Sequence, residues 1–214
     1  MSPSIRWSSE DADTGKLGRP LQLPFSGKTA PNRFLKAALT ERISSWDPVN
    51  IEARGIPSPE LINLYERWGE GEFGIILTGN ILIDPEHLEA AGNPVVHRTA
   101  PFHGERFEAF KALATAARAH GSLCIGQVNH PGRQCANTIN ANPISASEVQ
   151  LEQGEAAVAG MQFNKPRAAT QEDIDGFIDG FAHCAEYLEK AGYDGIQLHC
   201  GKQTLRTYLH RVRG

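Results

Sequence analysis

The sequence predicts an α/β fold assembled from repeated strand–helix units. Three observations carry that prediction: short, near-continuous apolar runs, longer amphipathic stretches between them, and capping residues or glycines at the ends of those stretches. The apolar runs are Arg33 to Leu39, Phe73 to Gly79, Leu123 to Val128 and Gly195 to His199. They are brief and partly β-branched, as expected of parallel strands buried on both faces.

Three helices follow from their stripes and their ends. In the first, Ser58 is placed to cap, Pro59 takes the first helical position, and Leu61, Leu64, Tyr65 and Trp68 share a face. The second, about 104 to 120, carries Phe107, Phe110, Leu113, Ala114 and Ala117 at helical spacing, with Gly121 as terminator. In the third, Thr170 and Asp173 mark the start. Ile174, Phe177, Ile178, Phe181, Ala185 and Leu188 form the stripe, and Gly192 ends it. This βα string suits either a doubly wound sheet or part of a closed barrel, and periodicity does not choose between them. The stretch from Pro131 to Ala169 has no strong pattern and is too long for a simple connection, so it reads as a functional loop.

Composition bounds the function. The chain has 214 residues, 40% hydrophobic and 21% charged, with a net charge of −4, which sets it among globular proteins of one domain. Its Lys and Arg residues are scattered, which argues against nucleic acid or an anionic membrane as partner. No apolar run approaches the ~20 residues of a membrane span, and Met1 to Pro20 has no signal-peptide core, so a cytoplasmic location is expected. Cys124, Cys135, Cys184 and Cys200 form no CxxC pair and fit reduced thiols.

Two phosphate-binding motifs fail on context. Gly69, Gly71 and Gly74 satisfy GxGxxG but close a helix and open a strand, the reverse of a dinucleotide site. Ser26-Gly27-Lys28-Thr29 ends like a phosphate loop, yet Gln22 stands where its first glycine belongs. The eight histidines include no HxxxH or HxH pair, so no metal site is expected. No GxSxG elbow is present.

The apolar runs end in small or polar residues: Thr40; Gly79 and Asn80; Gln127 with His130; and His199. Barrel enzymes keep their chemistry at such strand ends. A glutamine offers a donor and an acceptor side by side, which suits the edge of a flavin pyrimidine ring or another amide-rich heterocycle. A threonine hydroxyl bonds a carbonyl whose electron density rises on reduction, and Ala37, Ala38 and Gly79 let a flat ring approach the backbone. A histidine on the fourth strand is suited to donate to a substrate oxygen as charge develops.

These residues resemble the Old Yellow Enzyme family of NADH:flavin oxidoreductases. Leu21-Gln22-Leu23-Pro24 with Pro31-Asn32-Arg33-Phe34 resembles its opening hairpin and first strand, and Phe73-Gly74-Ile75-Ile76-Leu77-Thr78-Gly79-Asn80 its second strand. Gly126-Gln127-Val128-Asn129-His130-Pro131-Gly132-Arg133 resembles the third strand and its exit, and Ala191-Gly192-Tyr193-Asp194-Gly195-Ile196-Gln197-Leu198-His199 the fourth. The resemblance implies a partial TIM (β/α)₈ barrel with about four of its eight strands. It divides the chain into an N-terminal arm over 1–20, the first half of an FMN-binding barrel over 21–200 and a divergent tail over 201–214.

By the same resemblance, Ala38 and Thr40 match first-strand FMN contacts, Asn80 a backbone contact to the flavin and Gln127 the amide on its pyrimidine edge, and His199 matches a catalytic donor to the substrate carbonyl or nitro oxygen. The implied cofactors are FMN and, as reductant, NAD(P)H. The implied substrate is a small electrophile such as an activated alkene. The family places a second His or Asn and then a Tyr after that histidine, whereas this chain has Lys202 and Thr204. Tyr208 reaches the tyrosine's place only if the helix shifts by about a turn. With four strands the chain reads as a truncated product whose open edges self-associate. The alternative is a non-catalytic half-barrel acting as interaction partner or inactive fragment.

Overall fold

The computed structural model describes residues 13–151 and 161–199. The tail over 201–214, with Lys202, Thr204 and Tyr208, and Cys200 before it lie outside the described residues, as do residues 1–12 of the arm. The rest of the arm contains a helical turn, α1 (Gly15–Gly18), held where Leu17 O accepts from Arg33 N at 2.9 Å. A two-stranded antiparallel hairpin follows, β1 (Leu21–Gln22) against β2 (Thr29–Ala30). Its turn is the Ser26–Thr29 stretch that mimics a phosphate loop, closed by Leu23 N to Lys28 O and Gly27 N to Leu23 O.

The central sheet comprises β3 (Leu35–Lys36), β4 (Ile75–Leu82), β5 (Leu123–Asn129) and later β8 (Gly195–Leu198), all parallel and paired in that order. Between them lie α2 (Pro59–Glu70), α3 (Glu105–Arg118) and α4 (Gln171–Lys190). The first strand is much shorter than its apolar run, because only Leu35 and Lys36 find partners across on β4. The second runs past its expected end at Gly79 and takes in Asn80.

The helix ends follow local chemistry. Ser58 Oγ accepts from Leu61 N at 3.1 Å with Pro59 at the first position. Thr170 and Asp173 form a reciprocal capping box, reinforced by Arg167 on Asp173. Beyond α3 and α4 the chain turns at Gly121 and Gly192, at φ +91° and +93°, a region that disfavours other residues.

One apolar cluster gathers Leu61 and Tyr65 of α2, Phe107, Phe110 and Leu113 of α3, and Phe181, Cys184, Tyr187 and Leu188 of α4 against Ile76, Ile81, Cys124 and Val128 of the sheet. Burying a side chain such as Phe110 contributes about 1.5–3 kcal/mol. All three helices therefore cover the same face of the sheet, and strand order follows chain order. A doubly wound sheet reverses its strand order and carries helices on both faces, so the arrangement is that of a barrel wall.

The loop over 131–169 is more structured than its sequence pattern suggests. It contains a 3₁₀ turn (Gly132–Gln134) and a short parallel pair, β6 (Ile144–Ser145) and β7 (Arg167–Ala168). Residues 152–160 within it lie outside the described residues.

Candidate functional site

On the sheet face away from the helices, Asn80, Gln127 and Gln197 occupy one cross-strand row, with Asn80 opposite Gln127 and Gln127 opposite Gln197. A bulge in β4 creates the first pairing. Leu77 pairs with Ile125, but Asn80 rather than Gly79 pairs with Gln127, so β4 carries one extra residue. Thr78 satisfies the interrupted ladder: its Oγ1 accepts from Gln127 N at 3.0 Å and donates to Gly79 O at 2.8 Å.

Thr40 joins the row from the segment after β3, its Oγ1 donating to Asn80 Oδ1 at 3.1 Å. Buried Asn93 also donates to Asn80 Oδ1, at 3.4 Å. Both bonds fall on the oxygen, which leaves Asn80 Nδ2 as the end that donates elsewhere. Gln127 is buried, and its Nε2 donates to Gln197 Oε1 at 2.7 Å. Ala38 is half-buried beside Thr40, and His199, exposed, follows β8 with its backbone N–H on Val128 O. The fold thus unites Thr40, Asn80 and Gln127 directly, and places Ala38 and His199 at strand ends on either side.

Three features depart from the sequence reading. His130, grouped with Gln127 at a strand end, continues the helix-facing phase of Cys124 and Val128 and packs against Phe177 of α4, ring centroids 4.2 Å apart and planes tilted by 39°. Gly79 has a packing reason to be small as well: a Cβ there would clash with Leu39 O and a Glu41 carboxylate oxygen.

Glu41, absent from the sequence-based candidates, is nearly buried. Its Oε1 accepts from Tyr65 OH at 2.6 Å and Gly79 N at 3.3 Å, with Lys36 Nζ at 3.9 Å. Lys36 lies over the Trp68 ring and donates to Leu77 O; burial pushes its pKa down to about 8, against the opposing pull of Glu41. This cluster ties the chain around Thr40 to β4 and α2. Its sequence signal was a charged residue next to the Thr40 that ends an apolar run.

The fold also brings Asp84, His87 and His130 together, ligand atoms within 4.8 Å, a grouping that local spacing could not reveal. Hydrogen bonds hold part of it. His87 Nδ1 lies 2.8 Å from Asp84 Oδ2 and its Nε2 3.3 Å from Asn140 Nδ2, while His130 Nδ1 accepts from Gly132 N at 3.3 Å. With Nδ1 accepting, the neutral His130 ring carries its proton on Nε2, which is buried and has no hydrogen-bond partner among the described residues. Burial depresses its pKa to about 3, with the neighbouring His87 adding to the effect. For Asp84, burial pushes upward but is outweighed by the His87 hydrogen bond and charge, leaving it below the usual range. Asp84 and His87 line a cleft of about 410 Å³ against α4 that excludes the Thr40–Gln127 row.

The site's donor set fits a flavin. A hydroxyl, an amide donor and a buried amide lie in one row beside small residues, matching the alternating acceptors and donor of a pyrimidine edge.

Comparison with known proteins places the chain. The NADH-dependent flavin oxidoreductase nadA of Aspergillus parasiticus is 51% identical over 206 residues, which are 96% of this chain and 46% of that protein. The NADH-dependent flavin oxidoreductase iccE of Talaromyces variabilis is 33% identical over 183 residues, covering 81% and 42%. Among solved structures, an old yellow enzyme homologue from Zymomonas mobilis matches with a TM-score of 0.69 at 23% identity, covering 86% of this chain and 48% of that one. The old yellow enzyme from Trypanosoma cruzi matches at 0.69 and 21%, covering 87% and 51%. The chain spans about half the length of these relatives, and its fold is the corresponding part of a (β/α)₈ barrel. The profile of the NADH:flavin oxidoreductase / NADH oxidase family matches residues 16–207, and the chain belongs to that family.

Proposed function

We propose that this chain supplies the flavin-holding wall of an FMN-dependent NAD(P)H oxidoreductase acting on small electrophiles such as activated alkenes. The observation that carries the reading is the row Thr40–Asn80–Gln127, polar groups in register on the face opposite the helices. FMN, when bound, supplies hydride chemistry between a nicotinamide and a second substrate.

The residues have separate tasks in this reading. Gln127 holds the pyrimidine edge by its amide, Asn80 donates from Nδ2, and Thr40 places a hydroxyl by a ring carbonyl. Ala38 leaves room for the ring beside the backbone. His199, exposed beyond β8, donates to the substrate oxygen and stabilises the charge that grows there. Support comes from family membership and from relatives described as NADH-dependent flavin oxidoreductases.

Titration with FMN tests the reading. Purified protein is expected to quench flavin fluorescence and to acquire the yellow flavin band, and Gln127→Leu to weaken binding about tenfold, as for loss of one well-made hydrogen bond. The loaded protein is then expected to consume NADH or NADPH in the presence of an activated alkene. Colourless protein that leaves FMN fluorescence unchanged refutes the proposal for this chain.

A second reading has a specific observation behind it. Among the described residues β3 and β8 form the two edges of the sheet, and Leu35, Ile196 and Leu198 on them are exposed. Those edges suit a non-catalytic half-barrel that works by pairing with a complementary polypeptide, and co-purification with an intact homologue would favour it.

A further inference from the structure

We propose that Gln197 is a positioning residue that sets the amide of Gln127 for the flavin. The inference rests on the flavin reading above and goes beyond it by adding a residue with no assigned role.

The two ends of a glutamine amide have nearly the same shape and opposite hydrogen-bonding character. A Gln127 free to turn over would present donor and acceptor to the ring in either order, and only one order matches a pyrimidine edge. The backbone of Gln127 is already held, its N–H bonded to Thr78 Oγ1 at 3.0 Å. What remains to be set is the side chain.

Gln197 sets it from the neighbouring strand. The two residues are direct register partners on β5 and β8, so their side chains leave the same face of the sheet. Gln127 Nε2 donates to Gln197 Oε1 at 2.7 Å. In this pairing the nitrogen faces β8, and Oε1 and the second Nε2 hydrogen are left for the ring. Ordering Gln127 before the ligand arrives removes part of the entropy cost of binding. Gln197 is itself exposed, so its side chain contributes little to the core and is free to serve this end.

The experiment measures FMN dissociation constants by fluorescence quenching on the full chain, with thermal melts to confirm that each variant is folded. Gln197→Leu removes the acceptor at similar size, and Gln197→Glu keeps an acceptor for Gln127 Nε2. The expected result is about tenfold weaker FMN binding for Gln197→Leu, rescue to within about threefold by Gln197→Glu, and a Gln127→Leu/Gln197→Leu double variant no weaker than Gln127→Leu alone. If Gln127→Leu weakens binding while Gln197→Leu stays within about twofold of the parent, or if the two losses add in the double variant, the positioning role is overturned and the flavin reading survives. If the parent takes up no FMN, or Gln127→Leu binds it unchanged, the flavin reading falls and the positioning role with it.

Discussion

At the scale of single residues, burial decides chemistry that residue type leaves open. His130 is fully enclosed between the Asp84–His87 pair and Phe177, and burial lowers its pKa to about 3 from an ordinary value of ~6.5. The unfolded chain takes up a proton on this ring below pH ~6.5, whereas the folded chain does so only near pH 3. Its contribution to stability is therefore complete above pH ~6.5 and is lost as the pH falls toward 3, by up to about 1.4 kcal/mol per pH unit. His97, lowered chiefly by burial, acts in the same direction. Urea unfolding at pH 7, 6 and 5 should show the loss, and His130→Gln should flatten part of that slope. An unchanged slope in the variant would mean that His130 is not the group responsible. Burial also pushes the thiols of Cys124 and Cys135 up to about 12, which makes them inert packing groups.

At the scale of elements, the bulge in β4 connects packing to the site. The Thr78 hydroxyl closes the gap that the extra residue leaves, and Thr78 is 3% exposed, so water cannot replace it. Thr78→Val keeps the shape and removes the oxygen, leaving the Gln127 N–H buried without a partner. The expected loss of stability is about 1–3 kcal/mol, read from chemical denaturation. FMN affinity is expected to fall as well, because the same bond fixes the alignment of Asn80 with Gln127. A variant as stable as the parent would show that the bulge is held by other contacts. The three helices were legible because their ends and stripes are local: a capping hydroxyl, a proline and a glycine act within a few residues. The bulge was not legible, since Thr78 and Gly79 read as continued strand until β5 is placed beside them.

At the scale of the whole molecule, the four-strand barrel wall formed by the described residues has two edges and an uncovered apolar margin among those residues. Ile196 and Leu198 of β8 are 36% and 45% exposed, and Leu35 on the opposite edge 53%. Such edges offer unpaired backbone groups together with apolar surface, a combination that favours association. The isolated chain is expected to self-associate with rising concentration, seen by light scattering, and Ile196→Lys with Leu198→Lys to shift it toward monomer. Monomer throughout the accessible concentration range would overturn that expectation. The choice between doubly wound sheet and barrel also belongs to this scale, because it depends on which face each helix covers.

The three helices with their caps and the existence of the four parallel strands were determined by the sequence alone, because periodicity and capping act between near neighbours. The motifs of the opening hairpin and four strands carried the family as well. Tertiary structure decided the rest: the phase shift that aligns Asn80 with Gln127, the outward turn of His130, the buried anchor at Glu41 and the Gln127–Gln197 bond. Each depends on two segments dozens of residues apart meeting across a strand or helix interface, and the spacing within either segment holds no record of that meeting.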